Sequence, residues 1–275
     1  MKRIIIILIS ILCAVLLSSC NYFENRITAS DSDVDKALEA LLTRDNYKSE
    51  VFSEQSIINN GDAEESEGTY ESVIFHYPYK CRSFSLAGSN DKGVVSSTVY
   101  EIEKGGHVEK KITYQLEDGK EKEFDTITQP VYQEFFVRQM KNHIVSEELI
   151  EDSDEDGDDI RKYKVVVTGY PFIGLFGISA DKRESETIFF IDEFKTCEVY
   201  VYTDAKTNDI KRIEYDISEK KDLPQKINDR MKKEKGKDLG MFEFEKIKVS
   251  IKISNINDNS PEIAEIRKEI DNVMK

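Results

Sequence analysis

The residue run with the clearest potential for chemistry is EDSDEDGDD, residues 151–159. Asp152, Asp154 and Asp156 match the opening of a calcium-binding loop, where alternating carboxylates and a glycine at the sixth position wrap a hard cation. The ninth and twelfth positions are isoleucine and tyrosine, so the bidentate glutamate of such loops is missing. The pattern therefore indicates a solvated acidic turn between two strands, with these three aspartates as a weak metal candidate.

The histidines do not suggest a local catalytic or metal site. His76, His107 and His143 are too far apart in sequence to share a helix or strand face. No nucleophile elbow, phosphate-binding loop or dinucleotide-binding glycine motif occurs. The sequence therefore predicts a protein that is not an enzyme and uses no cofactor. The alternative is a hydrolase whose catalytic residues are dispersed along the chain.

The N-terminus carries an export pattern. Lys2 and Arg3 precede an apolar run at residues 4–17, which is shorter than the ~20 residues that a membrane-spanning helix needs. The run ends in Leu-Ser-Ser-Cys at residues 17–20, which resembles the lipobox of bacterial lipoproteins. In that family the cysteine receives a diacylglycerol thioether before cleavage. The alternative is an ordinary secretory signal with an incidental cysteine.

The resemblance to lipoproteins implies a division of the chain. Residues 1–19 form the signal peptide, Cys20 is the lipidation site, residues 20–32 form a tether, and residues 33–275 form a single domain. The mature protein is then exported and anchored by its lipid at the outer face of the bacterial cell membrane, or at an outer membrane. One acyl chain binds a membrane marginally and two bind it stably.

Two further cysteines, Cys81 and Cys197, lie in strand-like segments of the domain. In an exported protein they are a candidate disulfide. Two buried, unlinked thiols are an equally good interpretation, and the sequence leaves both open.

The charge balance excludes some partners. The chain has 54 Asp and Glu against 39 Lys and Arg, a net charge of −15. Such a chain repels nucleic acid phosphates and anionic membrane surfaces, so we expect no nucleic acid partner and no membrane contact through a basic face. Its 13 Tyr and 14 Phe provide enough large side chains to build a hydrophobic core.

The order of elements predicts an α+β fold. Residues 33–42 form an amphipathic helix with Asp33 as its N-cap, and an acidic turn at 59–68 follows a first strand. An antiparallel meander with one face in water follows, in which Gly105-Gly106 forms a two-residue hairpin loop. A helix follows Pro130, and ETIFFIDE (186–193) is a strand. A basic helix or loop covers 222–238, and a helix capped by Ser260 ends the chain. We expect nine or ten strands with helices on the inner face of the sheet.

An apolar, glycine-rich connection interrupts this pattern at residues 169–179, GYPFIGLFGIS. Two interpretations are open: a plug for one end of the core, or a flap at the mouth of a cavity. The residues of the candidate flap are Tyr170, Phe172, Ile173, Leu175 and Phe176.

The order of elements resembles the fold shared by LolA, LolB and the LppX/LprG lipoprotein carriers. The segments that carry this resemblance are residues 33–52, DVDKALEALLTRDNYKSEVF, and residues 199–218, VYVYTDAKTNDIKRIEYDIS. The C-terminal helix departs from that pattern. The resemblance implies a curved, open antiparallel sheet that binds an amphiphile, a lipid or part of an envelope protein in its concavity. The alternative is an acidic protein-interaction module with a solid core, of the immunity or accessory-subunit type.

Overall fold

The computed structural model describes residues 32–59, 61–86, 94–104, 107–129, 135–155, 158–176, 178 and 184–275. Within these ranges, residues 59, 94, 107, 122–129, 152–155 and 158 are described by their backbone only. The predicted signal peptide, Cys20 and all but the last residue of the tether lie outside the described residues.

One antiparallel sheet contains about half of the described residues. Its eleven strands lie in the order β6-β5-β4-β3-β2-β1-β11-β10-β9-β8-β7, so two sequential meanders meet where β1 pairs with β11. The predicted α+β fold with a large open antiparallel sheet is confirmed, with eleven strands instead of nine or ten. The strands are β1 (Asn46–Asn59), β2 (Asp62–His76), β3 (Tyr79–Leu86), β4 (Val94–Lys104), β5 (His107–Leu116), β6 (Glu121–Gln129), β7 (Ile144–Glu155), β8 (Asp158–Thr168), β9 (Thr196–Asp204), β10 (Ile210–Asp216) and β11 (Glu243–Ser254).

Five α-helices and two 3-10 turns are described, and the longer 3-10 turn, Tyr170–Phe176, is called the aromatic segment below. The shorter one is Ser218–Lys220. No helix in the described part of the chain is long and apolar enough to cross a membrane. The helices are α1 (Asp33–Leu42), α2 (Phe135–Lys141), α3 (Ser185–Phe194), α4 (Leu223–Lys235) and α5 (Pro261–Val273).

Helices cover both faces of the sheet. Because successive side chains of a strand point to opposite faces, Ile74 joins the main core while its neighbours Val73 and Phe75 do not. The face with the main core, called the inner face, packs against α1 to α4 and the aromatic segment. On the outer face, Val73 and Phe75 pack against Ile266 and Ile270 of α5.

The expectation of one wet face is wrong at β4. Tyr100 and Ile102 pack under α5 on the outer face, while Glu101 is fully buried on the inner face. Helices were expected on the inner face alone, whereas α5 covers the outer face. Ser260 caps α5 as predicted, since its hydroxyl accepts a hydrogen bond from the Ile263 N–H at 3.4 Å.

The N-terminal helix covers the predicted residues 33–42, but its N-cap is Ser32 and not Asp33. The Ser32 hydroxyl accepts from the Asp35 N–H at 2.9 Å. The carboxylate of Glu147, on β7, accepts from the N–H groups of Asp33 and Val34 at 2.9 and 3.2 Å. A carboxylate at a helix N-terminus also complements the helix dipole.

Two segment assignments differ from the sequence prediction. ETIFFIDE lies in helix α3 and not in a strand, because Thr187, Phe190 and Phe194 are buried at helical spacing whereas Ile188 is 43% exposed. Its aromatic and β-branched composition favoured a strand. Residues 62–68 of the acidic stretch predicted as a turn are the first half of β2, paired residue by residue with β1.

Candidate functional site

A cavity of about 290 Å³ lies between the inner face of the sheet and the helical layer. Its floor comes from β1, β2, β10 and β11, and its roof from α2 and the aromatic segment. The cavity is partly open, and the lining residues Gly174 and Leu175 are exposed at its mouth. It is therefore a recess in the core that solvent or a ligand can reach.

The floor is apolar because of strand alternation. In β11, Val249, Ile251 and Ile253 point to the inner face, while Ser250 and Lys252 between them point outward. Val51 of β1 stands directly opposite Ile251 in the strand register. Ser49, the neighbour of Val51 on the same face, adds a hydroxyl to this floor.

The roof is held by stacked aromatic rings. Phe172 of the aromatic segment lies 4.8 Å from Phe194 of α3 and 5.2 Å from Phe136 of α2, measured between ring centroids. Phe136 and Leu175 both line the cavity. A Cβ on Gly169, the residue before the segment, would lie 2.8 Å from the Cβ of Phe194. Glycine is therefore required for α3 to approach this closely.

The aromatic segment combines features of both sequence interpretations. Tyr170, Phe172, Ile173 and Phe176 are buried, as a plug of the core requires. Leu175 is 37% exposed and lines the mouth of the cavity, which is where a flap residue belongs. Movement of the segment stays a prediction.

A buried charged pair lies at the edge of the cavity. Lys110 of β5 lines the cavity, and its Nζ lies 2.7 Å from Glu101 Oε1 on β4. The Tyr79 hydroxyl donates to the other carboxylate oxygen at 2.7 Å. The Glu101 side chain is fully buried and that of Lys110 is 15% exposed. The carboxylate is thus neutralised inside the protein, and the ammonium group is fixed beside an apolar recess.

Sequence reasoning missed this pair, although a signal for it was present. A two-residue loop at Gly105-Gly106 pairs residue 104 with 107, and the same register pairs Glu101 with Lys110. The predicted hairpin is confirmed by that register. Opposite charges directly across two strands attract each other, so the hairpin prediction alone was enough to place them together.

Cys81 and Cys197 are buried, and neither forms a disulfide in the described part of the chain. Cys81 lies on β3 and Cys197 on β9, with β2, β1, β11 and β10 between them in the sheet. A disulfide needs Cα atoms within ~7 Å, whereas each strand step adds ~4.8 Å. The unlinked alternative therefore holds in this structure. Burial raises the pKa of the Cys197 thiol to about 12.

Of the remaining candidate residues, the described His76 and His143 do not line the cavity. His76 donates from Nδ1 to the Arg44 carbonyl at 2.6 Å, and His143 donates to the Gln139 carbonyl at 2.6 Å. The side chains of Asp152, Asp154, Asp156 and His107, like Cys20, lie outside the described residues. Among the described residues, no group of three potential metal ligands occurs.

Comparison with known proteins gives weak structural likenesses. No family model matches, and no curated protein matches. Twenty-two solved chains match. The lipoprotein LppX of Mycobacterium tuberculosis is 10% identical, with 83% of this chain and 94% of that chain covered and a TM-score of 0.43.

Two other solved structures are similar in the same way. LprF from Mycobacterium bovis is 7% identical over 83% of this chain and 92% of that chain, with a TM-score of 0.46. A LolA superfamily protein from Nitrosomonas europaea is 12% identical over 86% and 96%, with a TM-score of 0.30. These TM-scores are below 0.5, so the likenesses carry no argument about function.

Proposed function

We propose that this chain is a lipid-anchored envelope protein that binds an amphiphile in its sheet cavity and catalyses no reaction. The observation that carries the proposal is the cavity of about 290 Å³, with an apolar floor and roof. Lys110 is the charged residue among its described lining residues. A recess of this kind suits a ligand with one apolar part and one polar end. It also favours ligand binding over the alternative of an interaction module with a solid core.

The size of the cavity limits the ligand. Small-molecule sites usually enclose ~300–1,000 Å³, so a cavity of about 290 Å³ is at the small end of that range. It suits one short apolar group. A lipid with several chains needs the aromatic segment to move away from the sheet.

The energetics require a contribution from the polar end. Ten buried methylene groups contribute roughly 8 kcal/mol. Association costs ~4–15 kcal/mol in lost freedom, so apolar burial alone gives marginal binding. A hydrogen bond to a charged group adds ~1.5–3 kcal/mol. We therefore expect the polar end of the ligand to lie against Lys110, whose ammonium group has further hydrogens to donate beyond that facing Glu101.

The direct test is titration with a fluorescent fatty-acyl probe. Every described helix and strand lies after residue 31, so a chain that starts at Asn21 retains the whole sheet and both hydrophobic clusters. We expect saturable uptake of the probe by this chain. Absence of both probe uptake and co-purified lipid in mass spectrometry would refute amphiphile binding.

Matched variants connect binding to this cavity. Leu175 and Ile188 are both exposed leucine-sized side chains, at 37% and 43%, but only Leu175 is among the lining residues. Leu175→Ala should weaken probe binding by roughly tenfold, and Ile188→Ala should not change it. Gly174→Phe should block the mouth, since a Cβ there meets its nearest neighbour only at 3.8 Å. Equal effects of the two alanine variants would place the probe elsewhere.

The anchoring part of the proposal has a separate test. The lipobox-like Leu-Ser-Ser-Cys motif supports cleavage before Cys20 and acylation of its thiol. We expect the mature chain, expressed from the full sequence, to begin at Cys20 and to carry a diacylglycerol mass. Cys20→Ala should leave the chain without lipid. An unmodified Cys20 at or near a processed N-terminus would indicate an ordinary secretory signal.

A further inference from the structure

Tyr215 of β10 carries a buried hydroxyl that faces the cavity. The side chain lines the cavity and is only 6% exposed, and within the described part of the chain it makes ring contacts but no hydrogen bond. Its oxygen is not one of the buried unpaired atoms that protein encloses completely, so it borders open space. A buried tyrosine hydroxyl usually has a hydrogen-bond partner. The Tyr215 hydroxyl therefore offers the cavity a bond that the described residues do not use.

Packing of the aromatic ring fixes the position of this hydroxyl. The ring centroid of Tyr215 lies 4.8 Å from that of Phe136 on α2 and 5.2 Å from that of Phe172 in the aromatic segment. Burial raises the pKa of the Tyr215 phenol above its ordinary value, so the group stays protonated and able to donate. A donor that is already held in place loses little freedom when it binds a ligand oxygen.

A second hydroxyl in the cavity is in the same situation. Ser49 of β1 lines the cavity and is 6% exposed, and its side chain makes no hydrogen bond among the described residues. Ser72 of β2 stands directly opposite Ser49 in the strand register but is not a described lining residue. The Ser72 hydroxyl is hydrogen-bonded to that of Ser83 at 2.7 Å. The serine that borders the cavity is thus the one without a partner.

The polar groups of the cavity lie in a fixed order. Lys110 comes from β5, Ser49 from β1 and Tyr215 from β10, and β1 lies between the other two strands in the sheet. The strand register gives the same order along β1, because successive pairs place Lys110 level with Tyr47 and Tyr215 level with Ser53. A ligand whose charged end lies against Lys110 therefore has its chain, and not its head, beside Ser49 and Tyr215.

A plain hydrocarbon chain suits this arrangement poorly. The cavity is partly open, so water can bond to both hydroxyls while no ligand is bound. A methylene chain displaces that water and offers no acceptor, which leaves a buried hydroxyl without a hydrogen bond. An oxygen on the chain at the same place restores the bond.

We propose that the cavity selects an amphiphile whose chain carries oxygen, as a hydroxyl or a carbonyl, and that Tyr215 and Ser49 recognise this oxygen. The selectivity rests on the proposed function, in which the charged end of the ligand lies against Lys110. Tyr215 donates to a chain oxygen farther from the charged end, and Ser49 bonds to one nearer to it.

The test is calorimetric titration of the chain that starts at Asn21. Its ligands are dodecanoic acid and the isomers that carry a hydroxyl near the carboxylate, in the middle of the chain or at the far end. We expect at least one isomer to bind roughly threefold to tenfold more tightly than dodecanoic acid, which is the effect of one hydrogen bond between neutral groups. Tyr215→Phe should remove this gain and should not weaken the binding of dodecanoic acid itself. Ser49→Ala should act only on a hydroxyl nearer the carboxylate.

Tyr202→Phe is the matched control for Tyr215→Phe. Tyr202 is also 6% exposed, but it is not a described lining residue, and its hydroxyl donates to Glu214 at 2.8 Å. The Tyr202→Phe variant should bind every acid like the wild type and should melt about 2–4 °C lower, because it loses a hydrogen bond. The Tyr215→Phe variant should melt at least as high as the wild type, because it loses none.

The outcomes separate this selectivity from amphiphile binding as such. If dodecanoic acid binds but no isomer binds more tightly, or if no isomer loses its gain in Tyr215→Phe, the selectivity is overturned and amphiphile binding stands. An equal loss of the gain in Tyr202→Phe would also overturn it, as would a Ser49-dependent hydroxyl farther from the carboxylate than the Tyr215-dependent one. Absence of binding by every acid would overturn both proposals.

Discussion

The buried pair of Lys110 and Glu101 allows a sharp test of the packing at the cavity edge. Lys110→Met removes the cation 2.7 Å from a carboxylate that has no exposed surface. Breaking a buried ion pair by removing one partner costs ~3–5 kcal/mol, because the other charge stays buried without compensation. We expect the free energy of unfolding to fall by about that amount.

The double variant should recover most of this loss. When Glu101→Leu is combined with Lys110→Met, no buried charge is left, and such replacements are often nearly neutral. Glu101→Leu alone should cost less than Lys110→Met, roughly 1–3 kcal/mol, because Lys110 is 15% exposed and can turn toward the cavity. The double variant should therefore cost less than the sum of the single variants by roughly 3–7 kcal/mol.

The assay is urea unfolding followed by far-ultraviolet circular dichroism and tyrosine fluorescence, since the chain has 13 Tyr and no Trp. Lys104→Met is the matched control, because Lys104 forms a more exposed pair with Glu109 at 2.7 Å in the same hairpin. That variant should stay within ~1 kcal/mol of wild type. If Lys110→Met costs no more than this control, or if the two single costs simply add, the reasoning is refuted.

Three further predictions concern the core. Burial raises the pKa of the Cys197 thiol to about 12, so little reactive thiolate forms at about pH 8. Iodoacetamide should therefore label this thiol only after unfolding. Labelling of the native protein would contradict the burial. Gly169→Ala should lower the free energy of unfolding by ~1–3 kcal/mol, because its Cβ would lie 2.8 Å from the Phe194 side chain. Gly174→Ala should be tolerated when it is measured in the same way, because its Cβ would lie 3.8 Å from the nearest atom. Phe190→Ala should cost ~3–5 kcal/mol and Ile188→Ala almost nothing, because these two residues lie on different sides of helix α3. In a strand they would share a face, so similar costs would argue for the strand that the sequence predicts.

Local pattern was enough to predict most of the framework. The alternation in β11, the turn residues between β9 and β10, and Ser260 before Pro261 each depend on residues close in sequence. Strand period, turn chemistry and capping are short-range properties, and the structure confirms these elements. Helix α3 shows the limit of this approach, since aromatic and β-branched residues suit both a strand and a buried helix.

The candidate site depended on contacts between distant parts of the chain. The apolar character of Val51 and Ile251 is visible in the sequence, but their pairing across β1 and β11 joins residues from opposite ends of the domain. Likewise, α5 covers the outer face of β2 to β4. As a result β4, which was predicted to have one face in water, is buried on both faces at Tyr100 and Glu101.

The sequence alone was sufficient to predict a lipobox-type N-terminus, an acidic surface and an α+β fold with one large antiparallel sheet, because each follows from composition or from spacing within a few residues. Tertiary structure alone showed that a recess remains under the aromatic segment, that Lys110 and Glu101 meet at its edge, and that four strands separate Cys81 from Cys197 in the sheet. Packing between remote segments decides these features, and no local pattern records which residues will face each other across the core.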